Sequence, residues 1–73
     1  MKTKIYVKTD APAPNGEVPF SLKATIDYSF LLKEGDYVFF RGQRHTVVHV
    51  EHNLTPPDVS QDLYIRPWQK ESN

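Results

Sequence analysis

The chain has no cysteine. No disulfide can staple it and no thiolate can hold zinc. Small secreted domains usually depend on disulfides, so this absence favours a reducing compartment. A long apolar run is also missing; nothing approaches the roughly 18 residues of a membrane helix. The opening "MKTKIYVKTD" is basic without an apolar segment behind it, unlike a signal peptide. A soluble, cytoplasmic protein with no membrane partner is expected. Charge of one sign is lacking too. Nine Lys and Arg balance nine Asp and Glu, which removes blanket attraction to nucleic acid or anionic lipid and leaves only local patches. Glycine occurs only at positions 16, 35 and 42, in no phosphate-cradling pattern.

What is present fits a single small domain spanning residues 1–73. A domain of this size buries only roughly 60% of its unfolded surface, so its stability is thin. There is no internal repeat. Two segments read as Pro-rich loops: "DAPAPNGEVP" at 10–19 and "TPPDVSQD" at 55–62. Proline fixes φ and removes a donor, which bars both from a sheet interior.

Between the loops the pattern has a period of two. In "FSLKATIDYSF", residues 20–30, Phe20, Leu22, Ala24, Ile26, Tyr28 and Phe30 alternate with Ser21, Lys23, Thr25, Asp27 and Ser29. A helix would scatter the two sets; a strand puts each on one face, here core and water. "KIYVK" at 4–8 reads as a short first strand and "LYIRPW" at 63–68 as the last, with Pro67 at an edge or strand end. "KEGD" at 33–36 is a turn built on Gly35, leading into a hairpin over 37–50. The result is five strands and no convincing helix. That predicts an all-β fold, a five-stranded small barrel or rolled sheet.

The order of elements, with "KEGDYVFF" and "GQRHTVVHV", resembles the SH3-like small β-barrels. The peptide-binding SH3 domains have an acidic and aromatic first loop, a tryptophan pair and a Pro-Tyr motif near the end. Here the first loop has no aromatic, and Trp68 is the only tryptophan. The resemblance therefore implies a fold and does not carry proline recognition with it.

Strand alternation groups His45, Val47, His49 and Glu51 on one face of the hairpin, with Thr46, Val48, Val50 and His52 on the other. The second set is the more apolar, so Val48 and Val50 are expected inside and His45 and His49 outside. The turn sets the partner strand. A two-residue Gly42-Gln43 turn buries Tyr37 and Phe39. A three-residue loop or a bulge buries Val38 and Phe40 instead. The hydroxyl of Tyr37 favours the second arrangement.

Several chemistries can be weighed on this face. His45 and His49 lie about 13 Å apart along a strand at ~3.3 Å per residue, too far for one zinc ion. No metal or other cofactor is expected. None of Ser21, Ser29, Ser60 and Ser72 sits in a nucleophile elbow, and a strand surface offers no dry pocket. The expectation is a non-enzymatic binding module without a small-molecule substrate. Its candidate contact residues are Tyr6, Tyr37, Phe39, Arg41, Arg44, His45, His49, Arg66 and Trp68. Exposed aromatics with arginine are enriched in interface cores, pointing to a protein partner or a homodimer. The alternative is single-stranded nucleic acid, with rings stacking on bases and arginines on phosphate.

Overall fold

The computed structural model describes residues 2–9 and 19–69. Strands β1 (Lys2–Lys8), β2 (Phe20–Ile26), β3 (Tyr37–Phe40), β4 (Gln43–Asn53) and β5 (Ser60–Pro67) form one sheet in the order β2-β1-β5-β4-β3. Neighbours are antiparallel except β1 and β5, which run parallel. The sheet rolls into a half-barrel, and the described residues contain no helix. The all-β expectation holds in its rolled-sheet form. Of the expected 10–19 loop, residues 10–18 lie outside the described residues. No helix among the described residues is long and apolar enough to cross a membrane.

The inner, concave face carries the core. Ile5, Val47, Leu63 and Ile65 are buried there, with Val7, Ala24, Leu32, Val38, Phe40 and Val50 packed around them. The registers explain the cluster. Ile5 lies beside Leu63 and Val7 beside Ile65, while Val47 faces Ile65 and Val50 faces Leu63. Residues 27–36 then cross this face as a strap from β2 to β3. Leu32 packs on the core. The buried Gln61 amide accepts from Phe30 N at 3.0 Å and donates to Phe30 O at 2.8 Å, as a neighbouring strand would. The Thr3 hydroxyl donates to the carbonyl of Tyr28. At the end of the strap Gly35 takes φ +96°, and the Lys33 amide donates to the Asp36 carboxylate at 3.0 Å. This is the turn expected at 33–36.

Two bulges depart from simple alternation. In β2, Ala24 faces Ile5 but Leu22 faces Tyr6, so Lys23 is an extra residue. A bulge moves everything beyond it to the other side. Phe20 and Leu22 therefore share the outer face with Tyr6, while Ala24 and Ile26 keep the inner face, Ala24 packed on the core and Ile26 at its open rim. The predicted strand over 20–30 with all six apolar residues on one face is corrected accordingly: β2 stops at Ile26, and Tyr28 is 61% exposed. In β4, Val47 faces Ile65 and His49 faces Tyr64, which leaves Val48 as the extra residue. Val47 is the buried valine, and Val48 lines an outer groove instead of the core.

The hairpin turn is neither of the two expected. Arg41 and Gly42 form it, with φ of 52° and 78°, and Phe40 pairs with Gln43. Two positive φ values mark a type I′ turn, whose twist matches the strands. The exposure follows the second expected arrangement. Val38 and Phe40 pack inward, while Tyr37 and Phe39 are exposed.

Candidate interaction surface

The outer face is built in cross-strand rows. One row runs across all five strands: Phe20 on β2, Lys8 on β1, Arg66 on β5, Thr46 on β4 and Tyr37 on β3. The next row, toward the far end of the sheet, is Leu22, Tyr6, Tyr64 and His49. Tyr6 and Tyr64 stack at 4.9 Å between ring centroids. Phe20 meets Tyr64 edge-on at 5.2 Å, and His49 lies 5.8 Å from it. The row after that holds Thr25, Lys4, Asp62 and Glu51. Burial among these rings raises the Tyr64 hydroxyl pKa above the ordinary 10.0; the charges of Asp62, Tyr6 and Glu51 add to the effect.

At the other end, beside β3, lies a different cluster. Phe39 faces Arg44 across the hairpin, and the amide of Trp68 donates to the carbonyl of Arg44 at 2.9 Å. The Arg44 guanidinium sits 5.9 Å from the Tyr37 ring, 5.6 Å from Phe39 and 5.3 Å from Trp68. These are cation–π distances. The rings remain open to solvent: Tyr37 is 62% exposed, Phe39 72% and Trp68 38%.

Backbone polarity sharpens this end. The type I′ turn makes Phe40 and Gln43 a hydrogen-bonded pair, and bonding alternates from there. Asp36 accepts from Val47 N at 2.8 Å, in step with that alternation. The N–H and C=O groups of Tyr37 and Phe39 must then point away from β4. β3 is the last strand of the sheet, so these groups face outward from a free edge.

Between the two clusters runs a groove of about 440 Å³, lined by Lys8, Phe20, Glu34, Gly35, Thr46, Val47, Val48 and Arg66. Its two cations come from neighbouring strands. Basic side chains thus gather toward β3 and the 8/66 row, whereas Asp62 and Glu51 mark the opposite end.

The predicted contact residues divide into three sets. Tyr37, Phe39, Arg44 and Trp68 come together at the β3 edge, and Arg66 stands in the row of Tyr37, two strands away. Tyr6 and His49 share the outer face but belong to the Tyr64 row. His45 and Arg41 lie elsewhere. His45 was expected outside, yet it is 3% exposed and turned inward. The reason is the bulge at Val48: it puts Val47 as well as Val50 on the inner face, so His45, two residues before Val47, turns inward while His49 beyond the bulge stays outside. With its proton on Nδ1 it donates to the Gln43 carbonyl at 2.9 Å, and its ring meets Phe40 edge-on at 6.0 Å. Arg41 crosses toward the other edge, where its guanidinium donates to the Lys23 carbonyl at 3.0 Å. Sequence reading missed Lys8, Phe20 and Tyr64. Tyr64 had a usable signal, since it alternates with Leu63 and Ile65 in a strand already identified. Phe20 had none, because only the bulge turns it outward. No cluster of three or more His, Cys, Asp or Glu side chains suited to a metal ion occurs among the described residues.

Comparison with protein-family models, curated proteins and solved structures finds no match to this chain.

Proposed function

We propose that this protein is a non-enzymatic interaction module that binds a protein partner through β3 and the outer face beside it. One observation carries the reading. Tyr37, Phe39 and Trp68 surround Arg44 in solvent, at a strand edge whose outward backbone groups belong to two of the same residues. Aromatic rings and arginine supply most of the energy at interface centres. An edge strand adds main-chain bonds that need no particular partner side chain. An SH3-like relationship is proposed on the order of elements and the 33–36 turn alone.

The test is capture from the organism's own lysate with the wild-type chain and with Phe39→Ala and Trp68→Ala. A specific partner retained by the wild type and lost by both variants is the expected result. Identical captures by all three proteins would sink the reading.

A second reading has its own support. The two cations Lys8 and Arg66 line the groove beside Phe20, which suits phosphate next to a stacked base. Titrating the Trp68 fluorescence with mixed-sequence single strands, at low and at high salt, examines it. Phosphate binding would weaken steeply with salt because counterions are released.

A further inference from the structure

We propose that the partner at the β3 edge is a second copy of the same chain, paired antiparallel, β3 to β3, about a twofold axis at Val38. This rests on the interaction-module reading above and gives it a specific occupant.

Hydrogen bonding fixes the register. Only Tyr37 and Phe39 direct their backbone groups outward from β3. Antiparallel pairing centred on Val38 sets Tyr37 opposite the second copy's Phe39, and the twofold axis repeats the pairing in reverse. Each such pair exchanges both of its N–H···O bonds. A twofold interface uses the same patch on both copies, so a self-complementary strand is what it requires.

Charge supplies that self-complementarity. Glu34 and Asp36 lie just before β3, whereas Arg44 lies just after it, beside the Tyr37 and Phe39 rings. Antiparallel pairing brings the acidic end of each copy alongside the basic end of the other. Parallel pairing would set acid beside acid and base beside base. The chain's formal net charge of zero adds no long-range repulsion between copies. On the outer face, Tyr37 and Phe39 from both copies become neighbours, with an Arg44 on either flank. The two five-stranded sheets then continue as one. The opposite edge, β2, does not offer this: its bulge at Lys23 interrupts the ladder, and Arg41 already occupies the Lys23 carbonyl.

The absence of cysteine makes a direct test available. In the proposed register Val38 faces the second copy's Val38 as a non-hydrogen-bonded pair. Such pairs have Cα atoms about 4.5 Å apart, within the 4.4–6.8 Å range of disulfides. Val38→Cys should therefore form a covalent dimer under mild oxidation, while Thr25→Cys on β2 should not. Sedimentation of the wild type across concentrations should approach twice the 8.5 kDa chain mass. Phe39→Pro removes an outward donor without touching the ladder to β4, and should raise the dimer Kd about tenfold or more. Amide NMR of that variant would verify the retained fold.

A wild type that stays monomeric at every concentration would overturn the proposal, as would equal crosslinking of Val38→Cys and Thr25→Cys. The broader reading is separable. If the wild type is monomeric but Phe39→Ala still abolishes capture of a different protein, self-pairing fails and the interaction module stands. If Phe39→Ala alters neither mass nor capture, both fall.

Discussion

The two edges of this sheet are finished in opposite ways. β2 is seven residues long, the length at which an exposed edge invites strand addition. It is broken by a bulge, carries a lysine at the break, and has a carbonyl tied to Arg41 from the opposite hairpin. Those are recognised means of blunting an edge. β3 has four residues, no bulge, and two exposed aromatics whose backbone groups point outward. A short edge is safer than a long one, yet this one joins open backbone to the aromatic and arginine side chains that stabilise contacts. The two edges thus differ in protection, and the proposed contact is placed on the unguarded one.

The largest effect should come from the strap that leads from the closed edge to the open one. Gln61→Leu leaves the N–H and C=O of Phe30 without the amide that bonds both. Each unsatisfied group costs about 1–3 kcal/mol, so the variant should lose about 2–4 kcal/mol in urea unfolding. A smaller loss would mean that water replaces the amide and that the strap does not set where β3 begins. Next in size is deletion of Lys23. It removes the extra residue without changing the face of Phe20, Leu22 or Ala24, and leaves β2 regular and unguarded. The deleted form should self-associate more than the parent by light scattering. Unchanged association would show that the bulge is not what protects this edge.

The contrast between edges was only half visible in the sequence. The open one was legible because its determinants are local: Tyr37 and Phe39 follow from alternation and the hydroxyl of Tyr37, Arg44 from its place beside the turn and Trp68 from the end of the last strand. The closed one was not. Residues 20–30 alternate without a flaw, yet the alternation crosses a bulge, so one apolar set supplies both faces. Phe20 and Leu22 can sit outside because Tyr6 and Tyr64 give them company there. Pairing decides this, and pairing is not written in any single segment. His45 shows the same limit at smaller scale. The bulge at Val48, set by pairing with β5, moved Val47 to the inner face and took His45 with it. The strand count, the turn at 33–36 and the exposed ring pair needed no such long-range information.

The aromatic row that runs inward from the β2 edge makes a third prediction. Tyr64 has its pKa raised by burial, then by Asp62, Tyr6 and Glu51. A raised folded-state pKa means that the neutral phenol is favoured in the fold. Its stabilising contribution is complete below the unfolded value, near 10, and is lost as pH rises through the folded value. Thermal midpoints should therefore fall above about pH 10, and Tyr64→Phe should reduce the slope of that fall. An equal slope in both proteins would assign the alkaline loss to other groups.

The smallest effect is the most discriminating, because it pits turn strain against edge protection within one residue. Arg41 holds φ 52° at the first central position of the type I′ turn, where a branched or long side chain is disfavoured and asparagine before glycine is preferred. Arg41→Asn should relieve about 0.5–1 kcal/mol of backbone strain. It also removes the bond to the Lys23 carbonyl and the cation 5.1 Å from the Phe40 ring. Both lost contacts involve an exposed guanidinium, where water competes and the net contribution is small. The variant should thus unfold at a slightly higher temperature and yet associate more readily, because the β2 carbonyl is released. A lower midpoint would mean that the Arg41 tie outweighs the turn and helps hold the half-barrel closed. A higher midpoint without added association would leave the bulge at Lys23 as the sole guard of β2, and the contrast between the edges would then rest on strand geometry alone.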